Sequence, residues 1–172
     1  MRTTTKKHYV NNKDFIVALN EYKEKLKTDP ETKIPNYIGI CIHAICTKMA
    51  TRPNFSGYSF REEMVGDAIE NCLEAVKKFD EEKSMERSRS GTVNAFGYFS
   101  WIAWNAFIRR IGKEKKQTYI KHKNMQHLNI FEDDVHDSGN HISDQIINDY
   151  ESKLTKPKKK DIIGIEKFVD GE

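Results

Sequence analysis

An aromatic and basic segment at residues 94–116 limits the folds open to this chain more than any other feature. Its sequence, NAFGYFSWIAWNAFIRRIGKEKK, is predicted to form one helix. Because successive helical residues are turned by about 100°, its rings point to all sides. A surface helix needs only one apolar stripe, so this helix either lies at the centre of a domain or offers rings to a partner. The six rings are those of Phe96, Tyr98, Phe99, Trp101, Trp104 and Phe107.

Positive charge directly after the rings favours a partner for some of them. Glu114 is the only acidic residue within this basic stretch. Aromatic faces stack on unpaired bases while cations hold the backbone, which is the usual surface for single-stranded nucleic acid. A central position in the core remains the explanation for other rings. The cations are Arg109, Arg110, Lys113, Lys115, Lys116, Lys121 and Lys123.

The composition indicates one modest core with part of the chain outside it. Of the 172 residues, 37% are hydrophobic and 32% are charged, a low apolar share for a globular chain. The net charge of +3 decides little about partners. The three cysteines lie in apolar helical patterns, which is typical of small buried side chains in a reducing compartment. With no long apolar run and no signal-peptide pattern at the start, we expect a soluble cytosolic protein without a membrane partner.

The hydrophobic pattern predicts an all-α fold. Apolar residues recur at helical spacing in residues 12–27, 36–51 and 60–79, and again from residue 94, while strand-like alternation is absent. Asn11 or Asn12 is the expected N-cap of the first helix. Residues 52–59 are predicted to be a turn-rich connector and residues 80–93 a charged loop. A short helix is possible over residues 142–154.

Four carboxylates form a narrow column on the polar half of the helix at residues 60–79. Glu63, Asp67, Glu70 and Glu74 are spaced by four, three and four residues. Like charges at these spacings repel by a few tenths of a kcal/mol per pair, so the column adds nothing to an isolated helix. It is either a solvated face or a surface for a basic partner.

No enzymatic or metal-binding pattern stands out. Cys41, His43 and Cys46 cannot all point to one side of a helix, and no second Cys/His pair lies nearby to complete a site. Nothing in the sequence indicates that Glu63 and Asp67 form the paired-carboxylate site that acid–base chemistry requires. The sequence also lacks a phosphate-binding glycine loop and a nucleophile elbow. We therefore expect a non-enzyme that uses no cofactor and no metal.

Two segments resemble the conserved second region of the sigma-70 family of bacterial transcription initiation factors. EEMVGDAIENCLEAVKKFD (residues 62–80) is similar to the family's polymerase-binding helix, including its lysine-phenylalanine-acid ending. YFSWIAWNAFIRRI (residues 98–111) is similar to its promoter-melting helix, with the isoleucine-alanine-x-asparagine pattern of Ile102, Ala103 and Asn105. Within the family, the closer likeness is to the late-transcription sigma factors of T-even-type bacteriophages, through YVNNK, NFSGYS and NAFIRRIGKEKK.

The resemblance implies a domain organisation and roles for individual residues. Residues 1–130 would form a compact helical region-two-like domain, and residues 131–172 an acidic segment, a short helix, a basic linker and a partly extended tail. The chain would bind the clamp helices in the largest subunit of bacterial core RNA polymerase and melt an AT-rich, minus-ten-like promoter element. The implied polymerase-binding residues are Glu63, Asp67, Glu70, Asn71 and Glu74. The implied promoter-DNA-binding residues are Tyr98, Phe99, Trp101, Trp104, Asn105, Arg109, Arg110, Lys113, Lys115 and Lys116.

The same resemblance gives the C-terminal segment a task. In the phage late factors a short apolar and acidic peptide binds the DNA-polymerase sliding clamp, and GIEKFVDGE is similar in kind. Ile165, Phe168 and Val169 would fill an apolar groove of the clamp. The helix-turn-helix of full-length family members has no counterpart in the sequence, so a separate late co-activator is an expected partner. The expected location is the cytoplasm of an infected bacterial host.

Two other functions stay open on the residues alone. In one, the chain is a helical adaptor whose acidic helix docks on a basic protein and whose aromatic helix is wholly core. In the other, it binds single-stranded DNA without sequence preference and without polymerase.

Overall fold

The described part of the chain is all α-helical. The computed structural model describes residues 9–86, 91–127 and 137–155, and these contain seven helices and no strand. The helices are α1 (Asn12–Thr28), α2 (Asn36–Ala50), α3 (Pro53–Ser56), α4 (Arg61–Val76), α5 (Glu81–Glu86), α6 (Ala95–His127) and α7 (Asp137–Thr155).

The predicted long helices are confirmed as α1, α2, α4 and α6, with ends that differ by at most a few residues. Asn11 is the N-cap of α1: its backbone is extended and its side-chain oxygen accepts a hydrogen bond from the Lys13 N–H at 3.0 Å. An asparagine here satisfies one of the N–H groups that a helix start leaves without an internal partner. The helix predicted at residues 142–154 begins earlier, at Asp137.

The two predicted connectors are wrong in part, because each contains a short helix. In residues 52–59, Pro53 opens α3 at a position where its fixed φ suits a helix and its missing N–H costs nothing. In residues 80–93, the Asp80 carboxylate accepts hydrogen bonds from the N–H groups of Glu82 and Lys83 and starts α5. The Asp80 cap therefore stabilises a helix of charged residues, and apolar periodicity could not have predicted that helix.

Contacts divide the chain into two compact units, with the boundary inside α6. The first unit ends at Ile108 and the second begins at Arg109. The predicted boundary between residues 130 and 131 lies outside the described residues and stays a prediction.

The core of the first unit forms around α2. This helix packs against α1, α3 and α4, and its apolar residues are too many for one stripe. Each large side chain taken fully out of water contributes about 1.5–3 kcal/mol. The buried residues of α2 are Ile38, Cys41, Ile42, Ile45, Cys46, Met49 and Ala50, and those of α4 are Met64, Ala68, Cys72, Ala75 and Val76.

All three cysteines are buried thiols, as the sequence predicts. A hydrogen bond with the Cys46 thiol, followed by burial, raises the pKa of the Cys72 thiol. A neutral buried thiol behaves as a small apolar side chain rather than a nucleophile. His43, which lies between Cys41 and Cys46 in the sequence, is exposed while both cysteines are buried.

The second unit pairs the end of α6 with α7. Tyr119 stacks on Tyr150 with 4.6 Å between ring centroids, and His122 Nδ1 lies 2.9 Å from the Ser143 hydroxyl. The paired residues run in opposite order along the two segments, so the pairing is antiparallel. Ile147 of α7 is buried. None of the helices described here is both long and apolar enough to cross a membrane.

Candidate functional site

Helix α4 carries the predicted acidic column along one solvent-facing side. Its buried residues recur at helical spacing and fix which side faces the core, so Glu63, Glu70 and Glu74 are exposed. Asp67 is half-buried, and its backbone carbonyl accepts a hydrogen bond from the Asn71 side-chain amide at 2.5 Å. All five residues predicted to bind polymerase therefore lie on one face of α4.

The exposed carboxylates on this face have no ion-pair partner in the part of the chain that the structure describes. They are those of Glu63, Glu70 and Glu74. The nearest cations along the sequence lie at the two ends of α4: Arg61 is its first residue, and Lys77 and Lys78 follow its last. The face is consequently a strip of negative charge, on which a basic surface would find complementary charge.

The prediction that Phe99 contacts DNA is corrected by its burial. Phe99 is 0% exposed and packs against Phe15 and Phe79, with 5.3 and 6.0 Å between ring centroids. Its backbone carbonyl accepts a hydrogen bond from the Cys72 thiol at 3.6 Å. Phe99 belongs to the core of the first unit. The sequence pattern could not show this, because aromatic rings occur on all sides of the helix.

Trp101 is the most exposed of the rings on α6. It is 44% exposed, while Phe107 is fully buried against Phe55. Tyr98 is half-buried, with its ring 5.2 Å from that of Phe79. The six rings thus divide between the core and the surface, and Trp101 marks the surface side.

Trp101 belongs to a partly exposed stripe that sequence reasoning captured only in part. Trp104 is half-buried and rests edge-on against Phe55 at 4.7 Å, and the Asn105 amide donates to the Trp101 carbonyl at 2.9 Å. Ile108, which was not predicted as a site residue, is 47% exposed. Spacings of three, four and seven residues from Trp101 place these side chains on one face. That spacing was the signal that could have identified Ile108. We call Trp101, Trp104, Asn105 and Ile108 the tryptophan face.

The predicted phosphate-binding cations lie in the second unit, and one of them has an acidic partner. Arg109, Lys113, Lys115 and Lys116 are exposed. The Arg110 guanidinium forms an ion pair with Glu114 at 2.8 Å, one turn later, and both side chains are mostly covered. Arg110 is therefore paired along the helix, and the exposed Lys113, Lys115 and Lys116 are better placed to contact a phosphate.

Helix α7 occupies part of the α6 surface in this unit. Glu151 accepts hydrogen bonds from Lys123 Nζ and from the Tyr119 hydroxyl, each at 3.0 Å. The hydrogen bond from Lys123, and next that from Tyr119, lowers the pKa of the Glu151 carboxyl. Lys123 is therefore bound to Glu151 of α7.

The predicted clamp-binding residues Ile165, Phe168 and Val169 lie outside the described residues. Within those that are described, no group of three or more His, Cys, Asp or Glu side chains is arranged to hold a metal ion.

Comparisons with known proteins add no family to these observations. No protein-family model matches the chain, and no curated protein sequence matches it either. Functional inference therefore rests on the α4 face, the tryptophan face, the exposed cations and the motifs of the sequence.

Proposed function

We propose that this protein is a sigma factor of the phage late-transcription type, which binds bacterial core RNA polymerase and melts an AT-rich, minus-ten-like promoter element. The observation that carries the proposal is the exposure of Trp101. Covering an aromatic ring contributes about 1.5–3 kcal/mol, yet Trp101 is 44% exposed on a helix whose Phe99 and Phe107 are fully buried. An exposed indole beside a second one offers a platform for an unpaired base.

Strand separation would proceed by capture. Unstacking a base costs a few kcal/mol, and stacking it on a protein ring offsets that cost. AT-rich sites open most cheaply, so DNA deformability contributes to promoter selection. In the second unit, Arg109, Lys113, Lys115 and Lys116 would contact phosphates and make the affinity strongly dependent on salt.

Docking on polymerase would use the acidic face of α4. The clamp helices of the polymerase's largest subunit are the expected basic partner, as the family likeness implies. Exposed carboxylates without an ion pair among the described residues support this assignment. The likeness also extends to coupling with a sliding clamp through residues 164–172, to a late co-activator and to the cytoplasm of an infected host.

The deciding experiment is run-off transcription from a minimal promoter that carries only an AT-rich, minus-ten-like element. Bacterial core polymerase is assayed with and without the protein, and with Trp101→Ala. Since one base stack contributes about 1–3 kcal/mol, Trp101→Ala should reduce the protein-dependent transcript by about fivefold or more. Tyr37→Ala is the matched control, because Tyr37 is an equally exposed ring (41%) on α2.

The outcomes separate the candidate functions. A discrete transcript that depends on the protein and on Trp101 supports the sigma factor. A transcript that requires the protein but is unchanged by Trp101→Ala would mean that other residues capture the base. Binding to polymerase without any transcript favours the adaptor, and tight binding of single-stranded DNA by the free protein favours the sequence-independent binder.

A further inference from the structure

The side chain of Asn12 joins the start of α1 to the start of α6. Its amide nitrogen donates to the Val93 carbonyl at 3.1 Å, and its amide oxygen accepts from the Phe96 N–H at 3.0 Å. These partners are 81 and 84 residues away in sequence. Asn12 is half-buried, so both bonds are partly shielded from competing water.

Asn12 supplies one of two side-chain caps at the start of α6. The Asn94 side chain accepts from the Gly97 N–H at 2.7 Å, and Asn12 accepts from the N–H one residue earlier. The first N–H groups of a helix have no partner inside the helix. A cap from the preceding residue is common, whereas a second one supplied by another helix ties the position of α6 to α1.

The chemistry at residue 12 calls for an amide. One group must donate to a carbonyl and accept from an N–H at the same time, which a carboxylate cannot do when ionised. An alanine can do neither. Tyr9, which is close to Asn12 in sequence, also packs edge-on against Phe96 at 5.7 Å, so the chain just before α1 touches the same first turn of α6.

We propose that Asn12 is a positioning residue for strand capture: by fixing the first turn of α6, it sets how Tyr98 and Trp101 meet the unpaired base. This inference rests on the proposed function. Tyr98 lies in the capped turn, since its N–H bonds the Asn94 carbonyl at 3.1 Å, and Trp101 lies one turn later. A first turn that frays would let both rings move away from the capture geometry.

The test compares Asn12→Ala with Asn20→Ala. Asn20 is the matched control, because it is also a half-buried asparagine on α1, and its amide bonds Glu81 on α5 at 2.6 Å rather than α6. Three quantities are measured for each variant: the Tm, the affinity for core polymerase, and the rate of open-complex formation on the minimal promoter. From the usual effect of a lost cap, Asn12→Ala should slow opening about fivefold.

A second readout does not depend on polymerase. In a Trp104→Phe background, Trp101 is the sole indole, and acrylamide quenching of its fluorescence reports its exposure. Asn12→Ala should change this quenching while leaving polymerase affinity within about twofold, since α4 is untouched. Asn20→Ala should change neither the rate of opening nor the quenching of Trp101, even if it lowers the Tm as much as Asn12→Ala does.

The proposal is overturned if both variants slow opening in proportion to their loss of Tm, or if the quenching of Trp101 is the same in both. Absence of any transcript with the wild-type protein would overturn the proposed function, and the capture role of Asn12 with it, even where the quenching differs. Should Asn12→Ala fail to fold, Asn12→Asp takes its place, because it keeps an acceptor for Phe96 and loses only the donor to Val93.

Discussion

At the residue scale, burial assigns different tasks to two neighbouring aromatic side chains on α6. Phe99 fills the core between Phe15 and Phe79, whereas Trp101 is 44% exposed. Truncation of a buried phenylalanine removes its transfer free energy and leaves a cavity. Truncation of an exposed tryptophan leaves no enclosed space behind.

Phe99→Ala is therefore expected to lower the free energy of unfolding by about 3–5 kcal/mol, and Trp101→Ala to lower it by less than about 1 kcal/mol. Urea denaturation of the two variants measures both values. Similar losses would contradict the division between core and surface, and would return Phe99 to the candidates for base capture.

Gly97 is a second residue at which local geometry makes a sharp prediction. A Cβ at this position would lie 2.8 Å from the Asn94 amide nitrogen, so Gly97→Ala displaces the side chain that caps α6. Loss of a cap costs about 1 kcal/mol, which cancels or exceeds the usual gain of alanine over glycine in a helix.

The matched control is Gly39→Ala on α2, where an added Cβ meets nothing within 4 Å. That variant should raise the free energy of unfolding by up to about 1 kcal/mol, while Gly97→Ala should leave it unchanged or lower. Thermal and urea denaturation compare the two. Equal stabilisation by both would mean that the Asn94 cap contributes nothing.

At the element scale, the charge on α4 is unfavourable for the helix alone and suited to a partner. Replacing Glu70 and Glu74 by glutamine removes repulsion of a few tenths of a kcal/mol per pair, so the Tm should stay level or rise slightly. Affinity for core polymerase should fall several-fold, and more at low salt than at high salt. Binding titrations at two salt concentrations test this.

Glu21→Gln together with Glu31→Gln is the control for this pair, because both are exposed carboxylates that lie outside α4 and the charge change is the same. It removes negative charge without touching the acidic column and should leave polymerase affinity unchanged. If both variants lost affinity equally, net charge alone would explain the weaker binding to polymerase. That result would count against α4 as the docking face.

The pairing of α6 with α7 should depend on pH through Glu151. Hydrogen bonds from Lys123 and Tyr119 hold the pKa of Glu151 below its ordinary value, so their stabilisation is fully present above that ordinary value. It is lost as pH falls through the lowered pKa. The pKa values of Tyr119 and Lys123 are raised by their hydrogen bonds to Glu151, so stabilisation is also lost in strongly alkaline solution.

Near-ultraviolet circular dichroism of the tyrosines follows this pairing, because Tyr119 stacks on Tyr150. The signal should be steady near neutral pH and decline at both extremes. Glu151→Gln should weaken the signal at neutral pH and remove the contribution of residue 151 to the acid decline. An unchanged acid limb in that variant would show that other carboxyl groups govern the transition.

At the scale of the whole molecule, sequence patterns predicted what depends on local spacing and missed what depends on distant contacts. The apolar period of α4 predicted both the helix and its exposed carboxylates. The rings of α6 point to all sides, so no pattern could decide that Phe99 is core and Trp101 is surface. The bonds of Asn12 join residues more than 80 positions apart, and nothing local signals them. Helix α5 was missed because a cap at Asp80, rather than periodicity, begins it.

The proposed coupling to a sliding clamp makes a prediction for the full chain. Deleting residues 161–172 should abolish the stimulation of transcription by the clamp, because it removes Ile165, Phe168 and Val169 together. Basal initiation with core polymerase should persist, since α4 and the tryptophan face remain. Run-off transcription with and without the phage clamp on the same template measures the two activities side by side.

A narrower variant separates specific docking from simple loss of chain. Phe168→Ala with Val169→Ala keeps the length and the charges of the segment and removes only apolar groups that would enter a groove. It should reproduce the effect of the deletion, whereas Lys167→Ala should not, because a charged side chain belongs at the rim of such a contact. Equal loss of basal and clamp-stimulated transcript in the deletion would instead mean that the segment serves initiation itself, and the clamp assignment would be wrong.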